Sequence, residues 1–146
     1  MSTREPLDPL VFCAFLPVFA FFWLIVSAVI AEMSGWKAMA SQCRAVRRPE
    51  GIRYLWRSMY LSSYGAYGAC INVTLSSEGI FMVPSLPFRF RHPPLLIPWH
   101  RVGSLQRKRF IFQRCFLPIR AAETEWKLYV PCSAQRWMER HATQTA

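Results

Sequence analysis

From Pro9 to Ala31 the chain carries no charged side chain, and nothing else in it restricts the possible fold so sharply. The run after Pro9, L-V-F-C-A-F-L-P-V-F-A-F-F-W-L-I-V-S-A-V-I-A, contains fourteen Leu, Ile, Val or Phe residues. At a helical rise of about 1.5 Å per residue this segment reaches roughly 34 Å, enough for a hydrocarbon core of about 30 Å. A buried helix in a soluble protein seldom runs so far without a charge, and the single internal Pro17 is tolerated in a membrane helix. A cleaved secretory signal is the alternative, because Val29 and Ala31 meet the small-residue pattern ahead of Glu32. Signal sequences, however, have a shorter apolar region behind a basic stretch, whereas Arg4 here is offset by Glu5 and Asp8. A retained transmembrane helix over 9–32 is therefore expected, preceded by a short non-cytoplasmic N-terminus over 1–8.

The charges flanking the span set its direction. After it come Lys37, Arg44, Arg47, Arg48, Arg53 and Arg57, and basic residues resist translocation. The C-terminal part is thus expected in the cytoplasm. Of the 18 Lys+Arg and 8 Asp+Glu in the 146 residues, 17 and 5 follow Glu32, which leaves about +12 on the body. That sign suits a body held against anionic headgroups. The five cysteines, at 13, 43, 70, 115 and 132, show no C-x-x-C spacing; in the cytoplasm they are expected as reduced thiols acting as small hydrophobes.

Beyond the anchor, residues 33–52 form a juxtamembrane segment. Trp36, Met39, Cys43 and Val46 recur at helical spacing over 34–46, with Ser34 as the expected N-cap. Such an amphipathic helix either lies on the membrane surface or packs on the following domain. From Arg53 the apolar period becomes two, opening a domain over 53–146. Ala69, Ile71, Val73 and Leu75 share one strand face, Ser76-Ser77-Glu78-Gly79 turns, and Ile80–Val83 returns. Phe88 and Phe90 alternate with Arg89 and Arg91 as a strand would. Leu95–Trp99 is expected at an edge, since Pro98 donates no ladder hydrogen bond. Ser104–Arg107 and Phe110–Leu117 are expected to be joined across a hairpin tip at Arg107-Lys108-Arg109. Trp126, Leu128 and Val130 mark the last strand, and Ala134–Thr143 a closing amphipathic helix that carries Trp137. The expected fold is an N-terminal transmembrane α-helix and a mainly-β antiparallel barrel or sandwich of about seven strands with a C-terminal capping helix.

The segments E-G-I-F-M-V (78–83) and L-I-P-W-H-R-V (96–102), with the strand count and closing helix, resemble bacterial PH-like, or GRAM-like, domains. The run R-F-R-H-P-P-L-L-I-P-W (89–99) is similar to one in a family of single-pass bacterial membrane proteins with no assigned activity. The resemblance spans residues 30–140 and implies a PH-like barrel beside a bacterial inner membrane that holds the anchor. PH domains that bind phosphoinositides use basic residues on their first two strands and the intervening loop. Ser62–Gly68 has none, and no Lys or Arg lies between Arg57 and Arg89. Nonspecific attraction to anionic lipid is what remains of that implication.

Catalytic chemistry is poorly provided for. His92, His100 and His141 are the imidazoles, and the one aspartate, Asp8, precedes the span. A Ser/His/Asp triad in the body would need a glutamate instead. Glu123 and Glu125 form an acidic pair of the kind usually solvated. His92 and His100 lack partners at zinc-site spacing, and neither metal nor cofactor is expected. In the H-P-P-L-L-I-P-W motif, His92 is expected to fix a loop, Pro93 and Pro94 to force an extended entry, and Pro98 and Trp99 to end the edge strand in the core. Arg89, Arg91, Arg107, Lys108 and Arg109 are the candidate lipid- or partner-binding residues, since guanidinium and ammonium groups grip phosphate oxygens. A non-enzymatic membrane protein that binds anionic lipid or another protein is the expectation. The alternatives are an enzyme using His92 or His100, or a tethered nucleic-acid binder, though no RNA- or DNA-binding motif is present.

Overall fold

The computed structural model describes residues 9–61, 65–109, 113–121 and 124–141. Helix α1, Pro9–Met33, has one internal proline and is long and apolar enough to cross a membrane. Its residues are almost all exposed except on one stripe, where Trp23 is half-buried and Ser27 and Ala31 are buried. These recur every four residues, so one face of the C-terminal half is committed to protein.

A left-handed Gly35 then turns the chain into helix α2, Trp36–Cys43. This helix is shorter than the expected 34–46. Gly35 occupies the N-cap position, and Ser34 Oγ instead receives the Trp36 amide at 3.3 Å. Of the expected stripe, Trp36, Met39 and Cys43 enter the core, but Val46 lies past the helix end and is fully exposed. The helix packs on the domain, which resolves the two placements left open by its sequence.

Seven antiparallel strands follow: β1 Ile52–Leu61, β2 Gly65–Leu75, β3 Gly79–Pro84, β4 Leu95–Pro98, β5 Gln106–Arg109, β6 Gln113–Arg120 and β7 Glu125–Val130. Their order across the single curled sheet is β4-β3-β2-β1-β7-β6-β5. Strand β1 makes the curl possible. It pairs with β2 along its length and with β7 only at Met59–Leu61. Two register shifts break its pairing with β2, and Trp56 and Ala69 there adopt positive φ of 55° and 47°. A bulge leaves backbone amides without ladder partners; Asn72 Oδ1 accepts from the Trp56 amide and Ser58 Oγ from the Ala69 amide. The same bulge expels Ala69 from the face shared by Ile71, Val73 and Leu75, so the expected alternation holds only from Ile71 onward.

The β2–β3 hairpin turns at Ser76–Gly79 as expected, with Leu75 opposite Ile80. Ser76 Oγ donates to the Gly79 carbonyl at 2.8 Å. Gly79 sits at φ +152°, and a Cβ there would lie 2.2 Å from the Ile97 carbonyl oxygen, so neighbouring β4 leaves no room for a side chain. Strand β4 is the edge strand that Pro98 required.

Phe88–Arg91 form no strand. Leu86–Phe88 make a 3₁₀ turn, and Arg91 is left-handed at φ 57°. Pro87, Pro93 and Pro94 remove donors on both sides, so a strand here has no ladder to join. Arg107, Lys108 and Arg109 lie within β5, opposite Cys115, Arg114 and Gln113, and not at a hairpin tip; the connection 110–112 lies outside the described residues.

Helix α3, Ala134–His141, closes the structure. Its Trp137 is buried in the core with its ring tilted against Trp99 at 6.3 Å, while its Gln135 accepts from Arg107 of β5. The helix thereby bridges groups at the two ends of the sheet, β4 and β5. Trp36 and Trp126 stack at 5.9 Å in the core between α2 and the sheet.

Cys115 and Cys132 form a disulfide, against the expectation of reduced thiols throughout. The β6–β7 register places Cys115 opposite Val130, and the chain advances only two residues to bring Cys132 alongside. Cys13, Cys43 and Cys70 are free, and Cys43 and Cys70 are buried as expected.

Candidate functional site

The H-P-P-L-L-I-P-W segment clamps the helices to the sheet. Trp36 Nε1 donates to the Pro93 carbonyl at 2.9 Å, and the Ala45 amide donates to the Pro94 carbonyl at 2.9 Å. Trp99 Nε1 donates to the carbonyls of Ser76 and Ser77, pinning the end of β4 to the β2–β3 turn. His92 is 2 % exposed and fixes its loop, as expected. Its Nδ1 faces the Phe90 carbonyl at 2.9 Å; a carbonyl only accepts, so Nδ1 carries the proton and Nε2 is an acceptor. Nε2 lies 2.9 Å from the Tyr67 hydroxyl, which is itself 2.8 Å from Ser34 Oγ at the end of α1. One buried polar chain therefore links the end of α1, strand β2 and the proline-rich loop.

Burial holds His92 below its ordinary range, only partly opposed by the Phe90 carbonyl, and pushes the Tyr67 hydroxyl up to about 12. A histidine whose native pKa is lowered binds its proton less readily than it does in the unfolded chain, where the value is about 6.5. Stability is thus fully present above that value and falls as the pH drops through it toward the native pKa. The denaturant midpoint of the whole chain should decline between neutral and mildly acidic pH, and His92→Gln should flatten that slope. An unchanged slope in the variant would remove His92 as its source.

His100 is exposed on the turn after β4, and His141 stacks on Trp137 at 4.4 Å. The two imidazoles of the alternative enzyme reading thus stand in different environments, with both nitrogens of His92 already engaged. Glu125 is exposed at the start of β7, and Glu123 lies outside the described residues. Among the described residues no group of three or more His, Cys, Asp or Glu side chains is placed to hold a metal ion.

The five candidate basic residues do not form one patch. Arg91 is turned toward Glu32 at the end of α1, 4.0 Å away, where Lys37 also pairs at 2.6 Å. Arg107 donates to Gln135 of α3, Lys108 is exposed on β5, and Arg109 continues that strand, at the opposite end of the sheet from β4. Arg89 alone joins a larger cluster. It shares a groove of about 560 Å³ with Arg47, Arg48 and Arg53. Those three count toward membrane topology in the sequence, but nothing in it marks them as neighbours of Arg89. Phe81 and Trp56 supply apolar wall, and Ser85 lines the groove with a buried Oγ that has no hydrogen-bond partner.

The lip of this groove touches α1. Leu86 and Pro87 line it, the Pro87 carbonyl accepts from Trp23 Nε1 at 2.5 Å, and Phe88 packs against the Trp23 ring at 5.1 Å. Leu86 and Phe90 project into the surroundings, 81 % and 45 % exposed. No family model matches the chain, and neither the characterised proteins nor the solved structures compared with it give a match.

Proposed function

We propose that the chain is a single-pass inner-membrane protein whose PH-like half-barrel rests against the cytoplasmic leaflet and binds anionic lipid, without catalysing a reaction. The observation that carries this reading is the Trp23–Pro87–Phe88 contact. Trp23 lies ten residues before Met33, roughly 15 Å along the helix axis. The part of α1 before that contact, Leu10–Phe22, reaches only about 20 Å, two-thirds of a hydrocarbon core of about 30 Å. A span that continues past Trp23 carries the Leu86–Phe88 turn to the membrane boundary. Exposed Leu86 and Phe90 suit that depth, and the indole of Trp23 suits an interface. The arginines beside them then stand at headgroup level, where each contributes about 1 kcal/mol of attraction to anionic lipid.

The meandering strand order and closing helix are compatible with the PH-like reading. PH-like folds host many tasks, so the binding role is argued from the site and not from the architecture. A second reading, a protein partner, is favoured by the exposed Leu55, Trp56 and Tyr60 on β1.

The full chain reconstituted in phosphatidylcholine nanodiscs should gain thermal stability when phosphatidylglycerol is included, and the gain should shrink with added salt. Indifference to lipid charge at low salt would leave the protein partner as the better reading. Recovery of a soluble chain trimmed after Ala31 would overturn the anchor itself.

A further inference from the structure

We infer that the groove between the Val46–Arg48 loop, β1 and the β3–Leu86 turn is a seat for the phosphodiester of one anionic phospholipid from the bilayer that holds α1. This inference rests on the lipid-binding reading above and assigns it a place. Arg47, Arg48, Arg53 and Arg89 all line the groove, and among the described residues no carboxylate does. Among the described residues none of the four arginines forms an ion pair. Like charges gathered this way repel one another unless an anion joins them, and the guanidinium fork matches a phosphate oxyanion.

A second observation points to the same occupant. Ser85 is 5 % exposed, and its Oγ has no hydrogen-bond partner. A buried hydroxyl without a partner is uncommon in a folded protein. Ser85 lines the cationic groove, and a change of its rotamer would turn this unpaired hydroxyl toward a phosphate oxygen seated there.

The lipid source follows from the neighbours. The groove's lip, Leu86 and Pro87, lies against Trp23 of the membrane-crossing helix. Phe81, Val83 and Trp56 give the groove an apolar side. A phosphodiester held by the arginines can keep its glycerol on that side and its acyl chains along α1. A free phosphate uses the cations and the hydroxyl but gains nothing from the apolar wall or the helix.

The groove's cations come from Arg47 and Arg48 before β1, Arg53 on it and Arg89 after β3, and not from a basic β1–β2 loop of the kind the family resemblance would look for. The groove is built from the segment after α2, the start of β1 and the segment after β3.

The full chain, purified in mild detergent, can be titrated with short-chain phosphatidylglycerol or phosphatidylcholine while retained lipid is counted by native mass spectrometry. One phosphatidylglycerol should bind in preference to phosphatidylcholine. The double variant Arg53→Gln/Arg89→Gln should lower that affinity roughly 30-fold, taking each arginine at its usual headgroup contribution. Arg107→Gln/Lys108→Gln, at the far end of the sheet, should leave it within about twofold, since distant sites act independently. Ser85→Ala should reduce lipid retention while leaving the lipid-free melting temperature unchanged or raised, which separates a lost ligand contact from a damaged fold.

Preferential binding that survives Arg53→Gln/Arg89→Gln would overturn the seat and leave the general lipid reading standing. Absence of any preference for phosphatidylglycerol in the unaltered chain would overturn both. Displacement of the lipid by millimolar inorganic phosphate would reassign the groove to a soluble anion and overturn the lipid source.

Discussion

Replacing Trp36 with alanine should cost about 3–5 kcal/mol, at the upper end of buried aromatic truncations. Trp36 is fully buried and belongs to the core cluster. Its ring stacks on Trp126 at 5.9 Å and meets the edges of Tyr67 and His92 at 5.8 and 5.4 Å. Truncation removes these contacts together and opens a cavity between α2 and the sheet. It also strands the Pro93 carbonyl, which receives the indole N–H, and a buried acceptor without its donor costs about 1–3 kcal/mol. Typical domains hold only about 5–15 kcal/mol in total, so the variant should lie near the edge of folding. Trp36→Phe keeps most of the apolar volume and loses the hydrogen bond, so about 1–2 kcal/mol is expected of it. Chemical denaturation of the full chain in detergent, followed by circular dichroism, measures both variants. A Trp36→Ala chain within 1 kcal/mol of the original would mean that α2 is not part of the folded core.

Trp36 also shows where the sequence is a sufficient guide. Three of four residues in its predicted stripe enter the core, because a helix fixes which side chains share a face. The uncharged run of α1 is equally plain, since its length is set by composition alone. The hairpin of β2 and β3 was legible from Ile71 onward because period-two alternation and a Ser-Ser-Glu-Gly turn agree. What failed were features that depend on register. Ala69 leaves its face at a bulge whose existence depends on how β1 meets β2. Phe88–Arg91 mimic a strand by alternation, yet flanking prolines leave them a turn and a left-handed residue. The basic residues show the same limit. Arg107-Lys108-Arg109 is conspicuous in the chain but lies on a strand whose Arg107 reaches for α3. The groove gathers Arg47, Arg48 and Arg53 with Arg89, across a gap in sequence that only the pairing of β1, β2 and β3 closes. Trp23 has no local signature, because it acquires its meaning from Pro87, 64 residues away.

The Cys115–Cys132 disulfide is the remaining register-dependent feature, and its loss should have the second-largest effect on stability. The two residues are 17 apart in sequence. Closing a loop of that size removes enough freedom from the unfolded chain to contribute about 3 kcal/mol. For a domain of this size that corresponds to a fall of roughly 10–20 °C in melting temperature on reduction, and Cys132→Ser should match the reduced chain. A fall below a few degrees would show that the β6–β7 pairing holds this end without its covalent link. The bond also tests orientation, because it and the flanking charges pull in opposite directions. Arginines after α1 favour a cytoplasmic head, whereas disulfides persist in oxidising compartments. With the head in the cytoplasm, Cys115 and Cys132 should be alkylated together in acid-quenched, denatured cells without added reductant. The bond should then form only after lysis in air. The strand register brings the two thiols together whatever the compartment, so the fold tolerates either state, and only the stability follows the redox conditions. Protection of both cysteines in intact cells would place the head on the oxidising side and reverse the proposed topology. The groove and its contact with Trp23 would remain, facing the opposite leaflet.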